Sequence, residues 1–219
     1  MLRAEDRQGG QSVALRLLPA QLLEAKGALQ ALVGDLKLAS RVSHPNVVRV
    51  LGLIELSGKR CLVSELVEGK SCAEPLKAGR RMTLPQVLGL ARTLGSALSA
   101  IHGQGLSHGS IQPSNIMLAS GKIKLADLGL GRLAMAAQSP YRAPESQLNA
   151  AGDVFALSGA LYHLFTGKPP TGTPIAPPSQ LVAGAPPGLD DVLLRGLDPQ
   201  PETRFASVKR LLEELGKLG

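Results

Sequence analysis

Aromatic side chains are nearly absent from this 219-residue chain, which holds three Phe, two Tyr and no Trp. Its core must therefore be aliphatic, and a surface that stacks nucleic-acid bases has few rings to use. Cysteine is almost as scarce. Cys61 and Cys72 stand without the CxxC spacing of a zinc or redox site, so two reduced, buried or half-buried thiols are expected. No apolar run approaches the ~18 residues of a membrane span, and MLRAEDRQGG is too polar for a secretory leader. These absences predict a soluble, cytoplasmic chain with no membrane insertion.

What is present is aliphatic and basic. Apolar residues make up 44% of the chain, enough for a folded core, and the net charge is +7. The basic residues are scattered rather than gathered into a stripe. They read as a solvated surface, and no nucleic-acid partner is expected.

The order of elements runs from strands to helices. QSVALRLLP (11–19) reads as a strand after the Gly9-Gly10 turn, and Leu22, Leu23, Leu29, Leu32, Val33, Leu36 and Leu38 follow a helical period from Pro19 to Val42. Two strands, 47–56 and 60–66, come next across the SGK turn. Helices are expected at 84–105, 152–167, 189–197 and 206–217, with a loop holding seven prolines at 169–187. Strands first and helices last predict an α+β, two-lobed fold.

The chemistry concentrates in IHGQGLSHGSIQPSNIMLASGKIKLADLG (101–129). This stretch resembles the catalytic core of a protein kinase. In that family a His-Arg-Asp triplet opens the catalytic loop, its Asp takes the substrate hydroxyl proton, and an Asn five residues later joins the Asp of an Asp-Phe-Gly triplet in holding metal. Here His108, Pro113, Asn115 and Asp127-Leu128-Gly129 keep the frame, while Gly109 and Ser110 stand at the Arg and Asp positions. The order of elements across residues 2–215 is similar to a bacterial-type serine/threonine protein kinase domain. The resemblance implies a sheet-based N-lobe over residues 1–68, truncated and lacking the glycine-rich loop, and a mainly helical C-lobe over 69–219.

The same resemblance assigns roles. VALR (13–16) sits where the family has Val-Ala-Ile-Lys, so Arg16 falls at the phosphate-binding lysine and Asp35 at its carboxylate partner. CLVSELVEG (61–69) looks like the hinge, with Ser64 as gatekeeper and Glu65 and Val67 offering backbone groups to adenine. Ala14 and Met117 would sandwich the ring, and Asn115 and Asp127 would hold metal. Structural roles fall to His108, to Asp153 bonding the loop at 108–110, and to an ion pair between Glu145 and Arg204.

Four departures shape the functional expectation. Ser110 stands at the carboxylate base, Gln112 at a steadying lysine and Arg16 at the phosphate lysine, and before VALR only LRAED resembles a strand of the family's glycine-rich pair, the second, with the first strand and the phosphate-covering loop missing. A hydroxyl is no base near neutral pH, and losing phosphate cations removes transition-state stabilisation. The residues therefore predict a chain that is not an enzyme: a pseudokinase serving as a regulatory or protein-binding module in signalling, requiring no cofactor and partnered by another protein. The alternative is a divergent serine/threonine kinase or nucleotide sensor that binds ATP with magnesium.

Overall fold

The structure is a computed structural model that describes residues 2–5, 10–22, 26–134, 138–145 and 147–219. Gly9 of the predicted turn and Leu23 of the predicted helical period lie outside the described residues. So do Met135, Ala136 and Ala137 between the Asp-Leu-Gly triplet and the Ala-Pro-Glu run.

Strands β1 (Leu2–Glu5), β2 (Ser12–Leu17), β3 (Val50–Leu56) and β4 (Lys59–Glu65) form an antiparallel sheet in the order β1-β2-β4-β3. The short polar turn at Ser57-Gly58 sets the β3–β4 register, and both residues take positive φ. Helix α1 (Ala28–Ala39) packs on β3 and buries Leu32, Asp35, Leu36 and Ala39. Its period was legible, but its start was not. Gly27 adopts a left-handed backbone (φ 81°) immediately before α1, so α1 begins at Ala28 rather than near Pro19, and a 3-10 turn occupies Ala20–Leu22.

Beyond residues 66–69 the chain enters a second layer. Strand β5 (Lys70–Ser71) joins β6 (Ile116–Ala119) and β7 (Lys122–Leu125) in a small antiparallel sheet, with α2 (Ala73–Lys77) and α3 (Leu84–His102) between β5 and β6 in sequence. Pro85 in the first turn and the Gln86 side chain, which accepts from Thr83 N at 2.9 Å, start α3. Its buried face runs Val87, Leu90, Ala91, Leu94, Leu98 and Ile101, the 3–4 spacing of one helical stripe.

Helix α4 (Gly131–Ala134) is a single turn after the Asp-Leu-Gly triplet. Helix α5 (Ala150–Thr166) is buried almost all round, and α6 (Pro178–Leu181), α7 (Pro187–Gly196) and α8 (Val208–Gly216) close the lobe around it. Asn149 caps α5 by accepting from Gly152 N at 2.7 Å, and Gly167 ends it in a left-handed conformation. The aliphatic core expected from the composition lies between α3 and α5, where Leu94, Leu98, Ile101, Leu157 and Leu161 are sealed from solvent. The whole is the two-lobed α+β fold that the element order predicted.

Candidate active site

The catalytic loop is held from below by one carboxylate. Asp153, fully buried on α5, accepts from His108 N and Gly109 N at 2.8 Å each, and His102 Nε2 donates to its Oδ2 at 2.8 Å. His108 is itself buried. Its Nε2–H donates to Ala126 O at 3.0 Å, while Nδ1 accepts from Ser110 N at 3.3 Å. One ring nitrogen donates and the other accepts, so the ring is neutral. Burial holds its pKa below the usual histidine value, with the nearby Asp153 and Asp127 charges pulling the other way.

Gly109 answers a local demand. Its φ is 67°, and a Cβ there would lie 2.2 Å from Leu148 Cδ2 and 3.1 Å from Gly131 Cα. The backbone of the segment after Asp127 thus rests on the catalytic loop at a point where a larger residue has no room.

Above this platform, Asn115 donates through Nδ2 to Ser110 O and Ser110 Oγ, both at 2.8 Å. With Nδ2 so engaged, Oδ1 keeps only a long 3.4 Å approach from Ser114 Oγ. Asp127 is nearly buried and has a φ of 69°, a strained conformation for a non-glycine residue that costs about 1–3 kcal/mol. Such strain at a carboxylate aimed into a cleft marks a position held for its side-chain direction. Asp127 pairs with Arg16 of β2, whose side chain remains 45% exposed. Arg16, Ser110, Gln112, Asp127, Leu133 and Tyr141 line one cavity of 420 Å³ between the lobes.

One expected pair is not made. Arg16 does not bond Asp35. It bonds Asp127, and Asp35 instead accepts from Arg132 Nε at 2.6 Å. A carboxylate one carbon shorter than Glu sits on α1 within reach of the α4 turn, and α4 supplies the cation. This corrects the expectation that Asp35 is the carboxylate partner of Arg16.

The residues expected to face adenine stand apart from this cavity. Ala14 is buried on β2 opposite Ser64, and Met117 lies on β6 opposite Ser71 and Lys124. Glu65 and Val67 line a separate surface hollow of 390 Å³, where the Glu65 carboxylate is bound by Lys124 at 2.6 Å and accepts from Arg49 N. Behind the cleft, Arg204 grips Glu145 through two bonds, at 2.7 and 2.8 Å. Burial pushes the Glu145 pKa up, but the Arg204 hydrogen bond and charge win and hold it below the usual value.

Three contacts had no sequence signal: His102 on Asp153, Arg132 on Asp35, and Tyr141 Oη against His163 Nδ1. Their partners lie 51, 97 and 22 residues apart, so no short-range spacing reveals them. Tyr141 is pushed up to about 12 by burial, which keeps its hydroxyl protonated. No group of three or more His, Cys, Asp or Glu suited to a metal occurs among the described residues.

The two-lobed fold, with Ser110 and the Asp127 carboxylate lining the cleft between its lobes, can be set beside known proteins. The family model described as the protein kinase domain matches residues 1–179, and the chain belongs to that family. Serine/threonine-protein kinase PknH of Mycobacterium tuberculosis is 28% identical over 224 residues, covering 90% of this chain and 36% of PknH. PknE of the same organism is 26% identical, covering 93% of this chain and 41% of PknE. The chain therefore spans about two-fifths of the length of these relatives. The crystal structure of the M. tuberculosis PknI kinase domain superposes with a TM-score of 0.86 at 26% identity, covering 99% of this chain and 90% of that one.

These relationships overturn one expectation. The four departures predicted a non-enzyme, yet relatives matching nine-tenths of the chain are named serine/threonine-protein kinases, and the matching family is that of the kinase domain itself. That expectation took the four departures together as decisive, whereas catalysis through a loose phosphoryl-transfer transition state rests mostly on positioning and electrostatics. Among the described residues no helix is long and apolar enough to cross a membrane.

Proposed function

We propose that this chain is a divergent serine/threonine protein kinase domain that transfers the γ-phosphoryl group of ATP to a hydroxyl of a partner protein. On this reading residues 1–68 cover the nucleotide and residues 69–219 carry the catalytic loop. The observation that carries it is the convergence of Arg16, Ser110 and Asp127 on one 420 Å³ cavity, with Asn115 bonded to Ser110.

The donor set fits magnesium. Asn115 Oδ1 and the Asp127 carboxylate are hard oxygen ligands of the kind that ion takes alongside phosphates and water. When bound, it would neutralise charge building on the phosphate oxygens. Asn115 is aimed by its two bonds to Ser110, and Asp127 is aimed by its left-handed backbone. Arg16 offers a planar, permanent cation to the phosphates from the opposite lobe. Gln112 adds a neutral donor to the cavity wall. The bond to the transferring phosphorus is largely broken before the new one forms, so a substrate hydroxyl need not lose its proton early, and the transferred phosphoryl oxygens can accept it. Lacking a carboxylate at 110 then lowers the rate without abolishing transfer, since general-base catalysis supplies about 10²–10⁴-fold.

The test is transfer of labelled γ-phosphate from ATP to a protein acceptor or to the chain itself, with magnesium or manganese, alongside thermal melting in millimolar ATP. Transfer and a metal-dependent rise in melting temperature are expected, both lost in Asp127→Ala. Absence of both in the unmodified protein would sink the proposal.

A further inference from the structure

A second hollow, of 330 Å³, adjoins the cavity on the side of the helical lobe. Its wall draws Leu76 and Lys77 from α2, Gln112 and Ser114 from the catalytic loop, Tyr141 from the segment before Ala-Pro-Glu, and His163 from α5. Gln112 and Tyr141 also line the cavity that holds Arg16, Ser110 and Asp127. The two spaces share a wall. An extended peptide advances about 3.3 Å per residue, so one with its hydroxyl in the cavity brings a nearby side chain to the hollow.

The hollow has a sign. Among the described residues no carboxylate lines it. Lys77 is exposed and makes no ion pair there, while Glu74 of the same helix accepts from Ser71 N at 3.0 Å. Tyr141 and His163 stack with ring centroids 6.1 Å apart, and the phenol bonds His163 Nδ1. Burial keeps the phenol protonated and the imidazole neutral, so the hydroxyl donates to Nδ1 and the imidazole proton sits on Nε2. The wall thus holds one full positive charge and neutral donors on His163, Ser114 and Gln112. A cationic side chain finds no counter-charge here, whereas an anionic one finds a cation and hydrogen-bond donors together.

We propose that this hollow is a subsite for an anionic side chain close to the hydroxyl that receives the phosphoryl group, a carboxylate or a phosphate already carried by a neighbouring residue. The inference rests on the phosphotransfer reading above and names its substrate class: hydroxyls with acidic or phosphorylated neighbours. Lys77 supplies the charge, and His163, oriented by Tyr141, supplies a directed donor. Because Lys77 is exposed, the selection is limited in size and acts on acceptor binding.

Short peptides with one free Ser in an Ala-Gly background test it, carrying Glu, phosphoserine, Gln or Arg at each flanking position in turn. Fluorescence anisotropy reads their binding, and transfer from labelled ATP gives kcat and KM. At one flanking position Glu is expected to bind about five-fold more tightly than Gln, with Arg weakest and the difference lying in KM. Phosphoserine outdoing Glu would make a phosphorylated neighbour the occupant, and Glu matching or exceeding it would make the occupant a carboxylate; either supports the subsite. Lys77→Glu should turn the preference towards Arg, and His163→Leu should shrink the advantage of Glu. Each comparison is made between peptides on one protein, so a loss of folded material cancels. Binding and transfer indifferent to charge at every position, or a preference unchanged by Lys77→Glu, would overturn the subsite alone. Charge-selective binding without transfer to any peptide would overturn the proposed function and support the subsite. Neither binding nor transfer would overturn both.

Discussion

Two arginine–carboxylate pairs in this chain look alike on paper and behave as opposites. Arg204 has no exposed side-chain surface. It makes both Glu145 bonds, donates to the carbonyls of Asp198, Ala151 and Pro199, and stacks its guanidinium 5.0 Å from the Phe155 ring. Every donor has a receiver, and the geometry admits no other partner. Arg16 is nearly half exposed, has a single carboxylate contact, and faces an open cavity. The first pair is architecture, joining the Ala-Pro-Glu segment to the end of the helical lobe. The second is exchangeable, as a group that must greet a ligand has to be. Full satisfaction and burial make an ion pair rigid; partial exposure and an unfilled neighbour make it available.

The contrast can be broken most violently at Arg204. Arg204→Ala leaves the half-buried Glu145 charge unpaired and three carbonyls without their donor. It is expected to cost about 3–5 kcal/mol, measured by urea unfolding, with Glu145→Gln milder because the amide still accepts. A loss under about 1 kcal/mol would erase the distinction drawn between the two pairs.

Next in size is a gain at the cleft. Ser110→Asp puts a carboxylate where Asn115 Nδ2 already donates, and phosphoryl transfer should rise by about 10²–10⁴-fold. An unchanged rate with intact nucleotide binding would show that the loop geometry, not the missing base, sets the speed.

A smaller effect lies in pH. The His108 pKa is lowered by burial, so below about 6.5 the unfolded chain binds a proton that the folded chain refuses. The stability from neutral His108 is fully present above that pH and is lost as pH falls. Unfolding free energy from pH 7.5 to 5.5 should decline by up to about 1.4 kcal/mol per pH unit, and His108→Gln should flatten the slope. An identical slope in the variant would remove His108 from the account.

Smallest is the stability change at the exchangeable pair. Asp127→Ala should alter the unfolding free energy by no more than about 1 kcal/mol, since Arg16 returns to water. A loss comparable to that of Arg204→Ala would make the cleft pair architectural too.

Much of the helical lobe is legible in the sequence. The stripe of Val87, Leu94, Leu98 and Ile101 announces α3, and the apolar run over 152–167 announces a buried helix, because periodicity follows from local geometry. The spacing from Ser110 to Asn115 and on to Asp127 marked the residues that the structure gathers near one cavity. Hidden from the sequence were the late start of α1, decided by the left-handed Gly27, and the short turns at α2 and α4, which have too few residues to show a period. The pairing of charges was hidden as well. Asp35 was matched to Arg16 by position, but a short side chain takes the cation nearest in space, and that cation is Arg132, 97 residues away.

By itself, then, the sequence determined the aliphatic core, the strand-then-helix order, and which polar residues accompany the catalytic loop, since these depend on composition and on repeats of a few residues. Only the tertiary structure decided which charge meets which, that Gly131 lies on Gly109, and that Asp127 is held in a strained backbone. Those outcomes depend on distances of a few ångström between segments far apart in the chain, and the strength of an ion pair or the cost of a close contact is set at that scale.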